Sequence, residues 1–544
     1  ILKRKGEEKK NIIFVKFDNA LESFKIWYGK ALSKLIKFWY VSIILYAILL
    51  ALTYGVFKVL PTGFIPNEDQ GTLLASISLE AGVTLNNTSD VTKRVTALIK
   101  DTKGVADVLS ISGFSIITGA IDSSNATLFI VLEDWEMRKT EETSVKGITA
   151  AINKKINTYI NDAKVRVFNM PSIPGLSAVG GFEVKLQNLQ KIPLIEFESY
   201  AQEFIQKLNA DKSIMIAYTT FNSKYPQFYI DVNREKIAAL NLKINDVFST
   251  LQAYLGSLYV NDFSKFGKTY RVFIQADQNF RANKNSISNF FVKNSKDEMI
   301  PLSTIVNIKQ TTGTNTITHF NSYQSIAVNG VHNIREGYSS GDAIVALEKI
   351  ANETLPPSMG YEFSGLSLQE KEAGNAAVYI FALSLLMVFL FLAAQYESWM
   401  MPLMIMLPIP VVMFGALGAN MFAGLLNNTY TQIGLVLLIG MSSKNAILII
   451  EFAKELREEG ASIVDAAINA SVMRLRAILM TVFSFLLGIL PLVFASGAGA
   501  ASRQSLGTAV FGGMIMSTIL TILFTPILYV VLQRLREKSS SKEQ

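Results

Sequence analysis

The chain has 544 residues, half of them hydrophobic, with a mean hydropathy of +0.31 and a net charge of +7. It has no cysteine and only two histidines, His319 and His332. These counts exclude disulfides, Cys-zinc sites and thiol catalysis, and argue against a His-rich metal centre. The apolar content exceeds what one soluble domain needs and points to membrane spans plus globular parts. The chain opens on Ile1 and its first Met is Met137, so it reads as a fragment or the second half of a longer chain.

Residues 1–37 carry ten Lys or Arg among apolar residues such as Phe24, Trp27 and Leu35. This is the pattern of a basic amphipathic segment at a lipid surface, or of a linker helix. Six apolar runs follow, near 38–59, 374–396, 400–422, 431–453, 475–495 and 505–532. Each is close to the roughly 20 residues a bilayer requires. Lys454, Arg457, Arg474, Arg476, Arg534, Arg536 and Lys538 gather on one side of these runs, with the basic opening segment. The positive-inside rule puts both chain ends in the cytoplasm, including a short tail at 534–544. Topology therefore explains the excess charge better than nucleic-acid binding does.

Residues 60–373 form one large loop on the other side. Leu73, Ala75, Ile77 and Leu79 alternate with polar neighbours, as in a half-buried strand. A helix near 84–101, strands at 105–112 and 126–133, a helix near 142–158 and a strand at 164–169 complete a β-α-β-β-α-β order, the ferredoxin-like plan. A second such cycle starts with a strand near 181–187, a helix near 193–208 and a strand at 226–232. It resumes near 323–330, 340–353 and 360–364. The stretch between, about 233–310, reads as an insertion. The expected class is an α-helical polytopic membrane protein with a large α+β region outside the cytoplasm.

Lys444 lies within Gln432–Ile450, an apolar run long enough to cross a bilayer. A charge there costs roughly 2.5–3.5 kcal/mol on insertion scales and marks a function with a charged partner. The alternative is a lysine that snorkels to the interface, a role Lys454 fits better. Glu451 is seven positions on, about 10.5 Å along a helix, and cannot meet Lys444. No other apolar run carries a carboxylate at depth, so the partner acid is expected outside this chain. Asn445 offers hydrogen bonds beside Lys444. Thr481, on the next run, either donates to a carboxylate or bonds back to its own helix. Arg474 and Arg476 flank that run as relay groups or as simple anchors.

In the loop, Leu109 and Ile111 share one strand face with Asp107, and Thr127, Phe129 and Val131 share another. Gly113-Phe114-Ser115-Ile116 opens a small, polar loop reaching Asn125. An apolar wall beside a mobile loop suits a promiscuous pocket. On the residues alone, the core of a ferredoxin-like subdomain is the better reading of these positions. Nucleotide-driven chemistry finds no support: Gly267-Lys268-Thr269 ends a phosphate-loop pattern, but Asp262 stands where its first Gly belongs. An ion gradient is the remaining energy source, with no cofactor expected.

Four segments carry a family resemblance: Phe64-Ile-Pro-Asn-Glu-Asp-Gln-Gly71, Tyr259-Val-Asn-Asp-Phe263, Gly440-Met-Ser-Ser-Lys-Asn-Ala-Ile-Leu448 and Met473-Arg-Leu-Arg-Ala-Ile-Leu-Met-Thr481. In this order the chain resembles the C-terminal half of a resistance-nodulation-division efflux pump of the hydrophobe/amphiphile multidrug class. The resemblance implies a proton/drug antiporter, not an enzyme, in a bacterial inner membrane with its large loop in the periplasm. It implies porter subdomains at 60–170 and at 171–232 with 311–373, a docking subdomain at 233–310, and five spans within 374–533. The partners it implies are an N-terminal half bearing an intramembrane Asp pair, two further copies in a homotrimer, a periplasmic adaptor, an outer-membrane channel, hydrophobic drugs and membrane lipids. By the resemblance, Lys444, Asn445, Arg474 and Thr481 belong to the proton relay. Leu109, Ile111, Phe114, Ile116 and Phe129 match the deep pocket, 113–125 the switch loop, whose Gly113 is also expected to contact substrate, and Phe168 an entrance pocket. Leu109 and Ile116 replace aromatics, and Arg166 stands where an apolar residue is common. Competing readings are a metal-ion exporter of the same superfamily, a non-transporting membrane scaffold and an inactive truncated fragment.

Overall fold

The computed structural model describes residues 12–173, 175–177, 180–333 and 336–540. The first eleven residues of the expected surface segment and the last four of the tail lie outside that range. Two compact units are present: Phe221–Ile317, and the rest of the chain.

In the larger unit, α1 (Ile12–Lys37) and α2 (Trp39–Val59) lead to a four-stranded sheet. Its elements are β1 (Thr72–Ser78), α3 (Leu85–Lys100), β2 (Val105–Ser115), β3 (Ala120–Leu132), α4 (Val145–Tyr159) and β4 (Lys164–Asn169), with antiparallel order β2-β3-β1-β4. Thr84 and Ser144 accept from Asn87 N–H and Gly147 N–H, so each helix starts on a hydroxyl cap. Both helices lie on one face. Leu73, Ala75, Ile77, Leu128 and Ile130 pack there against Val95, Ile99, Ile148 and Ile152. Each such Leu, Ile or Val burial is worth roughly 1.5–3 kcal/mol.

The alternation seen at 73–79 suggested a strand buried on one side. Instead Leu74 and Ser76 are buried too, and Leu79 lies past the strand end. The reason is a second apolar cluster on the helix-free face, where Phe168, Phe129 and Ile116 cover Leu74. The expected loop at 113–125 is also mostly paired. Gly113, at φ +83°, makes a bulge. Phe114 and Ser115 then pair with Ile121 and Ala120, leaving 116–119 as the turn. The Thr127 hydroxyl holds the bulge by accepting from Ile116 N–H and donating to the Phe114 carbonyl.

A second sheet begins with β5 (Phe182–Asn188), α5 (Leu194–Ala210) and β6 (Ile214–Thr219). The strand expected at 226–232 is not its third member. That strand, β7 (Tyr225–Val232), belongs to the smaller unit. The smaller unit continues with α6 (Arg234–Ala239), α7 (Ile244–Leu251), β8 (Leu258–Lys265), β9 (Lys268–Ile274), β10 (Phe291–Lys293), β11 (Met299–Pro301) and β12 (Val306–Gly313). There β7 pairs with β12 from Tyr225↔Gly313 to Val232↔Val306. Period-2 patterning shows that a segment is a strand and says nothing of its partner. The second sheet is completed by β13 (Thr318–Phe320), β14 (Tyr323–His332), α8 (Ser340–Thr354) and β15 (Met359–Phe363), with β14 and β5 central and β6 paired to β14.

The remaining helices are α9 (Gly365–Tyr396), α10 (Met400–Met406), α11 (Ile409–Phe422), α12 (Thr429–Glu458), α13 (Ile463–Val493) and α14 (Ala500–Ser540). Counting α10 and α11 as one span broken at Pro408, and including α2, six helices among the described residues are long and apolar enough to cross a membrane. Several overrun the expected limits. The helix carrying the fifth apolar run starts at Ile463, capped by Ser462, so Arg474 and Arg476 lie within α13 rather than beside it. α11 and α14 meet through glycines: a Cβ on Gly512 would sit 2.3 Å from the Ala419 Cβ and 2.5 Å from the Gly415 carbonyl oxygen. Such small residues let membrane helices approach closely. Asn420 donates to Thr431 and Asn428 to Ser505, tying α11, α12 and α14 at their shared end.

Candidate functional site

Two arrangements gather the expected residues. The first is among the spans. Lys444 and Asn445 on α12 face Thr481 on α13 across a cleft of ≈ 400 Å³. Met441, Met480, Val482, Ser484, Phe485 and Met514 complete its wall, with Met514 contributed by α14. Lys444 is exposed, and none of the described residues accepts from its ammonium. Asn445 is buried, yet its side-chain NH₂ has no hydrogen-bond partner among the described residues. An ammonium and an unpaired amide donor together make a site that attracts an anionic or strongly accepting group.

Of the two roles weighed for Thr481, the local one is seen. Its hydroxyl donates to the Ala477 and Ile478 carbonyls at 3.1 and 2.9 Å. Arg474 is not at the cleft. It lies seven residues before Thr481, about 10.5 Å along the helix, with its guanidinium 4.3 Å from the centre of the Phe452 ring. Its buried Nε has no hydrogen-bond partner among the described residues. Sequence reasoning missed Ser484 and Met514. Ser484 was open to inference, being three residues past Thr481 on the same helix side. Met514 depends on how α14 packs, which no local pattern encodes.

The second arrangement is the helix-free face of the first sheet. Strand register places Leu109, Phe129, Leu74 and Phe168 in one row across all four strands. Ile111, Thr127, Ser76 and Arg166 form the next row. Leu109 is 60 % exposed and Ile111 39 %, while Phe168 is 9 % exposed. Ile116 and Phe129 pack on the Leu74–Phe168 pair, whereas Phe114 is half-buried in the bulged hairpin beyond Gly113. The face thus grades from a closed aromatic end at β4 to an open aliphatic edge at β2. Arg166 is not simply solvated. Its guanidinium stacks 4.4 Å from the centre of the Tyr218 ring on β6. Burial raises the Tyr218 phenol above its usual range, and the nearby Arg166 charge opposes that shift. Among the described residues no cluster of His, Asp and Glu could hold a metal ion.

A model of the AcrB/AcrD/AcrF family matches residues 1–533. The chain belongs to this family. Similar relatives include a toluene efflux pump membrane transporter, TtgB, of Pseudomonas putida, 35% identical over 521 residues. That alignment covers 95% of this chain and 49% of TtgB. The multidrug resistance protein MdtF of Escherichia coli (strain K12) is 35% identical over 535 residues, covering 97% of this chain and 51% of MdtF. The multidrug export protein AcrF of the same strain is 34% identical over 522 residues, covering 95% and 50%. The chain thus spans about half the length of these relatives. The resistance-nodulation-division resemblance read from the four segments agrees with this membership, and the family's efflux pumps are membrane transporters by name.

Proposed function

We propose that this chain is one half of a proton-driven antiporter that exports hydrophobic and amphiphilic compounds. The observation that carries the proposal is the Lys444 cleft: a cation on a membrane-length helix, beside a buried amide unpaired among the described residues, with no acid of the described residues lining it. In the other half of the transporter an intramembrane Asp pair supplies the acid. Lys444 pairs with that acid when ionised and is released when it takes a proton from the outer side. The change repacks α12, α13 and α14, and the ligand with differential affinity for the two packings is the proton.

The helix-free face of the first sheet is the drug-binding wall, a ferredoxin-like porter surface in the periplasm. Leu109, Ile111, Phe114, Ile116, Phe129 and Phe168 supply apolar contact there, and Gly113 hinges the hairpin. Apolar, orientation-tolerant contact suits many ligands. Arg166, held on Tyr218, adds a fixed positive group at the edge that favours amphiphiles with an acidic group.

The unit Phe221–Ile317 supports the docking and trimer reading. Its two-stranded ribbon β8–β9 exposes Tyr259, Phe263, Tyr270 and Phe273. A lone hairpin is marginal in water and an exposed aromatic ribbon marks an interface. In the assembled pump it contacts a neighbouring copy, near the adaptor and outer-membrane channel.

The test is Lys444→Ala in the transporter completed by its other half. Drug efflux should fall to background with trimer assembly unchanged. Wild-type efflux from that variant would remove Lys444 from the mechanism.

A further inference from the structure

Glu68 and Asp69 are adjacent in sequence, yet their carboxylates go to different parts of the larger unit. Both Asp69 oxygens accept from Arg138, at 2.9 and 3.1 Å, and one also accepts from Gly71 N–H. The Arg138 side chain is 1 % exposed and its Nε donates to the Glu133 carbonyl. Asp69 is half-buried, but the bidentate pair is held on a buried guanidinium, and breaking it strands that charge. Trp135 donates to the Asp69 carbonyl and Leu132 N–H to the Gly71 carbonyl, so residues 69–71 are bolted to the end of β3.

Glu68 points the other way. It accepts from Ala501 N–H at 3.2 Å, from Ser502 N–H at 2.7 Å and from the Ser502 hydroxyl. These are first-turn groups of α14, where unpaired N–H groups and the helix dipole favour a negative charge. A capping acid usually comes from the helix's own sequence. Here it comes from 433 residues earlier, so it joins two elements rather than finishing one.

α14 also supplies Met514 to the Lys444 cleft. Ser502 and Met514 are twelve residues apart on one helix, about 18 Å. At the other end, Thr72 opens β1 directly after Gly71, and β1 carries Leu74 and Ser76 onto the helix-free face. An unbroken run of helix, charge-assisted hydrogen bonds and strand therefore leads from the ion cleft to the sheet.

We propose that Glu68 is a positioning residue for transport: with Asp69 it forms a strap that passes movement of α14 at the Lys444 cleft to the first sheet. This rests on the antiport reading for the source of the movement. The strap itself is a matter of contacts among residues 68, 69, 138, 501 and 502. The test separates coupling from simple stabilisation, because contiguity and coupling are distinct properties.

The experiment measures initial efflux rate against concentration of a fluorescent lipophilic cation in cells expressing the completed transporter, together with its thermal midpoint in detergent. Glu68→Gln keeps the shape and removes the charge. It should lower the maximal rate roughly tenfold, the factor that 1.4 kcal/mol on the barrier produces. The half-saturating concentration and the midpoint should stay at wild-type values. Glu68→Asp, which keeps the charge, should recover most of the rate. The double variant Glu68→Gln/Ser502→Asp returns a negative charge to the helix end without the tie to residue 69, and should remain slow. A wild-type maximal rate in Glu68→Gln, or full recovery in the double variant, overturns the strap. If Glu68→Gln fails to accumulate in the membrane, Ser502→Ala takes its place. It removes one of the three bonds and should slow efflux about threefold, roughly 0.65 kcal/mol by the same relation; a wild-type rate there overturns the strap as well. Lys444→Ala is run beside these: efflux that ignores it defeats the antiport reading, while the effect of Glu68 on the rate is still read separately.

Discussion

Phe129 shows how a residue's role depends on which neighbours its strand brings to it. It stands between Leu109 and Leu74 in register, and packs with Ile116 on the Leu74–Phe168 pair. Alternation along β3 was enough to place it on a face with Thr127 and Val131. What sequence could not supply was that the helix-free face has a closed end and an open edge, since this follows from strand order. Removing the ring opens the closed end without touching the helix-side core. Phe129→Ala should therefore change resistance to some drugs severalfold and spare others, measured as growth inhibition across a panel of dissimilar compounds. Equal loss for every compound would mean the sheet has collapsed. His332, on β14, gives a different kind of prediction. Burial lowers its pKa below the usual value, with Asp342 opposing the shift. The unfolded chain then binds more protons below its own pKa near 6.5. Stability is full above that pH and falls as the solution is acidified through it, by at most about 1.4 kcal/mol per pH unit. Hydrogen exchange of the β14 amides between pH 7.5 and 5.5 should show the loss, and His332→Gln should flatten it.

At the scale of elements, the strongly periodic helices and strands were legible, while pairings were not. The apolar runs read as spans all fall on the membrane-length helices, because twenty apolar residues admit few other structures. Helix ends were harder to read: α9 and α13 run on through polar residues once their apolar stretch is anchored. The segment 113–125, rich in small and polar residues, reads as loop until the Thr127 hydroxyl and the Gly113 bulge are seen holding it as a hairpin. β7 was found as a strand but given the wrong sheet, and β6, only six residues long, was passed over. The α11–α14 contact was likewise invisible, since Gly415 and Gly512 carry no apolar periodicity of their own. It makes a sharp prediction. Gly512→Val must push Ala419 and the Gly415 backbone aside, so the variant should lose about 1–3 kcal/mol or more. A lowered thermal midpoint in detergent checks this, and an unchanged one would mean the helices separate freely.

Across the whole molecule, the proposed mechanism has Lys444 as the half of an ion pair that this chain carries and the sheet face as the surface it drives. Family membership rests on the match across residues 1–533, and the chain covers about half of the relatives described. The proposed relay positions on α12 and α13 were read from one lysine in an apolar run and a motif. The cleft brings Lys444 and Asn445 on α12 together with Thr481 on α13, with Arg474 some way along α13. The coupling of ion to drug is best tested by flux. The completed transporter is reconstituted in vesicles with an imposed pH gradient and a pH-sensitive dye inside, and a lipophilic drug is added. The account predicts drug-dependent collapse of the gradient with the unaltered chain and none with Lys444→Ala. A drug-dependent proton flux of unaltered size in that variant would contradict it.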